Sequence, residues 1–279
     1  MLRPLPPTSG KEARGRVVVV GGSLRYPGAL LLASRAANRC GAGVVTAAAA
    51  RSVVEAALGL DPNITLFPLA ESQPGTVAIG AAAQLATLLG EKIRALLIGP
   101  GLAHATGTDD FVAAVLRNAR GVATVVDADG LNALARTERW PALLPAKSVL
   151  TPHDGEAARL AGRVVPTGAA RISFAERHAR DWKAVVVLKG ATTVVTDGRR
   201  TLVLDAPNPA LGVGGSGDVL GGAIAAFLAR GLAPLAAATA AVWAHGRAGA
   251  LLAAEVGESG SLASDIADAL PRALREVLS

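Results

Sequence analysis

Short β-branched runs alternate with longer Ala- and Leu-rich stretches along most of the chain. Val17–Val20 is a continuous apolar run of the kind buried on both faces of a sheet. Ala29–Cys40, stopped at Gly41, has the length and composition of a helix. The same reading places strands at Val44–Ala48, Ile64–Phe67, Ala95–Ile98, Val122–Val126, Ser148–Leu150 and Val185–Leu188. Helices fall between them at Thr108–Asn118, Gly130–Arg136, Glu156–Ala161 and Ala169–Arg180. Strands separated by helices make βαβ units, so an α/β fold follows, with a mainly parallel central sheet flanked by helices on both faces.

One segment breaks the alternation. Two Val/Thr/Leu runs within Thr192–Asp205 flank Asp197-Gly198, a β-hairpin signal. After it come a glycine-rich loop and three closing helices, Val219–Ala229, Leu235–Glu255 and Ser264–Leu278. No internal repeat or low-complexity linker interrupts the pattern. One domain over residues 1–279 is expected, with residues 1–14 as a loosely ordered Pro-rich arm.

Composition narrows the class. With 51% hydrophobic and 18% charged residues the chain is not a disordered one. A single cysteine, Cys40, excludes a disulfide scaffold or a cysteine-based zinc site and suits a reducing compartment. No stretch reaches the ~18 apolar residues of a spanning helix, and the opening MLRPLPPTSGKEARGR has no apolar signal core. A cytoplasmic protein without membrane contact is the expectation. The net charge of +6 comes from scattered arginines and five lysines, with aromatics at 3%. No basic run or basic–aromatic interleaving points to nucleic acid, and small anionic ligands fit the charge equally well.

Ligands of an open parallel sheet bind beyond the carboxyl ends of its strands. The loops leaving the strands here are rich in glycine: Gly21-Gly22-Ser23, Gly99-Pro100-Gly101, Asp127-Ala128-Asp129-Gly130, Thr151-Pro152-His153 and Gly214-Gly215-Ser216-Gly217-Asp218. The last runs directly into an apolar helix, whose start would make an anion cradle. It is neither a Walker A loop nor a dinucleotide fingerprint. Asp218 reads either as a helix N-cap or as a base for a hydroxyl in phosphoryl transfer.

From Asn208-Pro209-Ala210 through Gly214-Gly215-Ser216-Gly217-Asp218 the chain resembles the ribokinase-like superfamily, and more closely the ADP-dependent NAD(P)H-hydrate dehydratases. The resemblance runs nearly end to end. It takes in Gly21-Gly22-Ser23 with Tyr26-Pro27-Gly28-Ala29, then Gly41-Ala42-Gly43, Gly99-Pro100-Gly101-Leu102, Asp127-Ala128-Asp129-Gly130, Thr151-Pro152-His153, Lys189-Gly190-Ala191-Thr192-Thr193 and His245-Gly246.

The resemblance implies repair of hydrated NADH or NADPH, with ADP as phosphoryl donor, AMP and phosphate as products, and Mg²⁺ as cofactor. Asp218 would be the base. The amides of Gly215, Ser216 and Gly217 would stabilise the transferring phosphoryl group. Lys189, Gly190, Ala191, Thr192 and Thr193, with Gly214, Gly215, Ser216 and Gly217, match the nucleotide site. Ala29, Gly101, His153 and Asp218 match positions lining the hydrated nicotinamide nucleotide.

Glu156 reads either as a magnesium carboxylate acting through water or as a first-turn residue favoured by the helix dipole. Lys189 has a second reading as a solvated amine at a strand end, and His153 as a surface or packing residue. Asp127, Asp129 and Asn132 read as helix caps. Three residues depart from the family pattern: Ala103 for a glycine, Asp154 for a proline, where it adds negative charge near an anionic substrate, and Val213 for a smaller or polar residue.

The matched region lacks the N-terminal epimerase domain that many bacterial members carry, so a separate epimerase is the expected partner. The assembly implied is a homo-oligomer, a homotetramer among the options. The alternatives are a sugar or vitamin-alcohol kinase of the same superfamily and a non-catalytic nucleotide-binding protein.

Overall fold

A computed structural model describes Pro6, Thr8 and residues 10–278. The strands are β1 (Arg16–Val20), β2 (Val44–Ala50), β3 (Thr65–Leu69), β4 (Glu71–Gln73), β5 (Thr76–Val77), β6 (Ile93–Ile98), β7 (Ala123–Val126), β8 (Ser148–Leu150), β9 (Val185–Leu188), β10 (Thr192–Thr196) and β11 (Thr201–Asp205). The helices are α1 (Lys11–Arg14), α2 (Pro27–Arg39), α3 (Arg51–Ala57), α4 (Ala81–Leu89), α5 (Thr108–Asn118), α6 (Asp129–Arg136), α7 (Asp154–Ala161), α8 (Ala169–Trp182), α9 (Ser216–Ala229), α10 (Pro234–Val256) and α11 (Ala263–Leu278). Of the expected loose arm, residues 1–5, 7 and 9 lie outside the described residues, and Lys11–Arg14 form the short α1.

Nine strands form one sheet in the order β11-β10-β9-β8-β7-β6-β1-β2-β3. All neighbours from β9 to β3 are parallel. β10 runs antiparallel to both β9 and β11, which is the expected hairpin. Val17 to Val20 and Leu96 to Ile98 are fully buried, as strands covered on both faces require. β3 is the edge, where Pro68 is tolerated because its missing N–H is needed by no further strand. The reading placed no strands at β4 and β5, which pair as a small antiparallel sheet; three and two residues long, they offer no alternation to detect.

Helices α2, α9, α10 and α11 pack on one another as one group, and α4, α5, α6 and α7 follow one another in a second. α9 touches both β6 and β7 and is buried nearly all round, as its largely apolar, Ala- and Gly-rich composition allows. The chain leaves β1 for β2 and β3 on one side, then returns to β6 on the other. The order therefore reverses between β1 and β6, the switch point where open α/β sheets form a crevice at their carboxyl ends.

Candidate active site

At that end a cavity of about 700 Å³ opens beyond β7, β8 and β9 and beside the β10–β11 hairpin. Its volume is in the range of small-molecule sites. Asp127, His153, Lys189, Gly190, Ala191, Thr193, Gly215, Ser216, Gly217, Asp218 and His245 are among its lining residues. Thr192 turns its hydroxyl to Asp205 instead, 2.7 Å away.

α9 begins one turn earlier than the hydrophobic pattern suggests. Gly215, at φ +91°, is its N-cap in a left-handed conformation that glycine adopts without steric cost. Asp218 is consequently the third helical residue and not the N-cap, and no side chain caps this helix. First-turn N–H groups lack intrahelical partners, and Gly217 and Asp218, which carry two of them, both line the cavity. The expected trio of amides is altered, because the Ser216 N–H closes the loop by donating to the Val213 carbonyl at 3.2 Å. The buried His245 of α10 bonds Ser216 through Nε2, at 3.0 Å from both its carbonyl and its hydroxyl oxygen. A carbonyl only accepts, so Nε2 carries the hydrogen. Burial, against the Ser216 backbone bond, lowers the His245 pKa to about 4 and keeps the ring neutral.

Lys189 is no solvated amine. Its ammonium sits 2.9 Å from Asp127 Oδ1 and 4.0 Å from Glu156 Oε2. A Cβ added to Gly217 would lie 3.3 Å from Nζ, so the charge is directly beneath the anion loop. Burial disfavours the ammonium, but Asp127 and then Glu156 outweigh it and hold the Lys189 pKa above its ordinary value. Asp127 likewise caps nothing: Ala128 is the N-cap of α6, and Asp127, 1% exposed, accepts from Thr151 Oγ1 at 2.7 Å as well as from Lys189. Asp218 completes the cluster. Burial first, and Asp127 next, push its pKa to about 7 against the pull of Lys189.

His153 N-caps α7 through Nδ1, which accepts from the Gly155 N–H at 3.0 Å, while Glu156 Oε2 accepts the His153 N–H at 2.9 Å. This is a capping box with histidine in the place usually held by Ser or Thr. It still lines the cavity with a half-exposed side chain. Glu156 is buried, and burial raises its pKa, with Lys189 opposing.

Ala29 and Gly101 meet at the switch point, away from the cavity lining. A Cβ on Gly101, which holds φ +63°, would come within 2.8 Å of both Ala29 Cβ and the Tyr26 carbonyl. Two residues on, Ala103 holds a left-handed φ of 59° where the family pattern has glycine, and its N–H donates to Asp129 at 2.8 Å. Ala103→Gly should therefore raise stability by ~0.5–1 kcal/mol, the relief of a left-handed Cβ less the added freedom of the unfolded chain. Urea titration would check it; an unchanged or lowered midpoint would show that the turn carries no strain.

A mainly parallel sheet open at its carboxyl ends, with a glycine-capped helix start facing a carboxylate and a buried lysine, is an α/β architecture shared with ribokinase-like folds. A ribokinase-like superfamily protein from Enterococcus faecalis V583 superposes with a TM-score of 0.84 at 24% identity, over 99% of this chain and 92% of that one. A family model described as NAD(P)H-hydrate dehydratase matches residues 17–272, and the chain belongs to that family.

The chain is 39% identical to an ADP-dependent (S)-NAD(P)H-hydrate dehydratase of Xanthomonas campestris pv. campestris, over 96% of this chain and 91% of that protein. It is 41% identical to a bifunctional NAD(P)H-hydrate repair enzyme of Moorella thermoacetica over 96% of its own length, but spans only 50% of that protein. The ADP/ATP-dependent NAD(P)H-hydrate dehydratase from Bacillus subtilis, co-crystallised with ATP/Mg²⁺, superposes with a TM-score of 0.81 at 29% identity, over 99% of this chain and 94% of that one.

Proposed function

We propose that the chain catalyses ADP-dependent dehydration of hydrated NADH or NADPH, as one domain. The observation that carries this reading is Asp218: a carboxylate with its pKa near 7, at the start of α9, in the same cavity as Lys189. A base poised near neutrality suits removal of a proton from a hydroxyl. Asp218 takes the proton of the ring hydroxyl, whose oxygen attacks the terminal phosphoryl group of ADP as the bond to AMP breaks. Loss of that phosphate, with loss of a ring proton, restores the double bond.

The amides at the start of α9 and the Lys189 ammonium face charge that grows on the phosphoryl oxygens. Ala29, Gly101 and His153 would line the nicotinamide nucleotide, and Lys189 to Thr193 with Gly214 to Gly217 the ADP. Magnesium, when bound, would neutralise phosphate charge. Among the described residues no three His, Cys, Asp or Glu side chains gather to hold a metal ion. Glu156, already occupied in the α7 cap, fits it through water. A homo-oligomer and a separate epimerase for the other hydrate stereoisomer are the partners this reading expects.

The test is to incubate the protein with hydrated NADH and either ADP or ATP. Return of the reduced-nicotinamide absorbance with stoichiometric phosphate, and AMP when ADP is the donor, is the expected result. A stable phosphorylated product would mark a small-molecule kinase instead, and nucleotide binding without turnover a non-catalytic protein.

A further inference from the structure

Arg171, in the first turn of α8, is 8% exposed, and its guanidinium is spent on the candidate nucleotide stretch. Nη2 donates to the Lys189 carbonyl at 2.8 Å and reaches that of Leu188 at 3.5 Å, while Nε donates to the Thr192 carbonyl at 3.2 Å. Nη1 pairs with Asp154, the first residue of α7. Gly190 makes the approach possible, because a Cβ there would lie 2.7 Å from Nη2. Backbone bonding joins the same two segments, with the Lys189 N–H donating to the Pro152 carbonyl at 2.8 Å and His153 pairing in parallel with Lys189. The charge of Asp154, expected to repel an anionic substrate, is instead answered by Arg171.

We propose that Arg171 is a positioning residue that sets the Lys189–Thr192 backbone and the start of α7 as one unit. The Lys189 ammonium is thereby aimed beneath the anion loop and His153 is held at the cavity rim. The inference rests on the proposed function for the identity of the nucleotide. A planar fork that serves three carbonyls and a carboxylate at once is a task lysine cannot take over. Residue 190 must stay without a side chain for the same reason.

The test pairs Arg171→Lys with Asp154→Asn, which lies on the surface. Calorimetric titration with ADP should show Kd raised about tenfold in Arg171→Lys and about threefold in Asp154→Asn. In steady-state assays KM for ADP should rise by similar factors while kcat falls less. A merely structural role would lower the melting temperature and leave Kd and KM unchanged below it. Unchanged Kd in folded Arg171→Lys overturns the inference, and if that variant does not fold, unchanged Kd in Asp154→Asn does so. Wild-type protein that fails to bind ADP overturns the proposed function itself, a result separate from wild-type binding that the variants leave unaltered.

Discussion

Asp218→Asn should lose ~10²–10⁴-fold in dehydration turnover and yet melt at a higher temperature than the parent at pH 8. The loss follows from removing the group proposed to accept the hydroxyl proton while keeping its size and position. The gain follows from the environment of the carboxylate. Burial, reinforced by Asp127, raises its pKa from 3.8 to about 7, so the charged form is disfavoured in the folded state. Below pH 3.8 Asp218 is protonated both folded and unfolded and exacts no penalty. Between 3.8 and about 7 the folded state binds the proton more tightly, and stability falls as pH rises. Above that window the whole penalty is present.

Asparagine escapes the penalty, so the variant should gain on the order of a few kcal/mol at pH 8, roughly 5 °C or more. The gain should vanish near pH 4. The parent's turnover should in turn rise with pH through about 7 and then level off. A carboxylate that merely favours the helix dipole predicts the reverse, a loss of ~0.3–1 kcal/mol with turnover kept. Melting curves at pH 4, 6 and 8 and rates on the same preparation decide between them, and near-parental turnover would sink the mechanism.

The strands leading to this site are legible because β1, β6 and β9 carry the unbroken apolar runs Val17–Val20, Ala95–Ile98 and Val185–Leu188, and burial on both faces leaves that mark. The hairpin is legible from Asp197-Gly198. What the sequence hides are partners set by the fold. Asp127 stands in an Asp-Ala-Asp run that looks like capping chemistry, and its ammonium partner Lys189 is 62 residues away. Arg171 is one arginine among many until α8 lays it across Leu188 to Thr192. His153 is not a usual cap residue, so the α7 start is read two residues late. Asp218 is drawn from N-cap to third helical position by the left-handed turn at Gly215, which a Gly-Gly pair permits but does not specify.

The Asp127–Lys189 pair supplies the second large effect. Lys189→Met should destabilise the protein in the absence of nucleotide by ~3–5 kcal/mol, the usual cost of leaving a buried charge without its partner. At this size that is a fall of roughly 10 °C. Asp127 has nowhere else to turn: it is 1% exposed, and the Thr151 hydroxyl alone would remain on its Oδ1. Methionine keeps most of the apolar stem, so lost packing contributes little. ADP binding should weaken as well, because the ammonium lies just under Gly217, where the proposed site would hold the phosphates.

The two effects come apart in the double variant Asp127→Asn/Lys189→Met. A neutral amide in place of the buried carboxylate should recover most of the lost stability, while ADP affinity stays low. Urea titration without nucleotide and calorimetric titration with ADP, on both variants, measure each effect separately. If Lys189→Met binds ADP weakly but unfolds at the parent's midpoint, Lys189 is a phosphate contact alone and the buried pair carries no stability. If it binds ADP as the parent does, the nucleotide lies elsewhere and the proposed site is wrong.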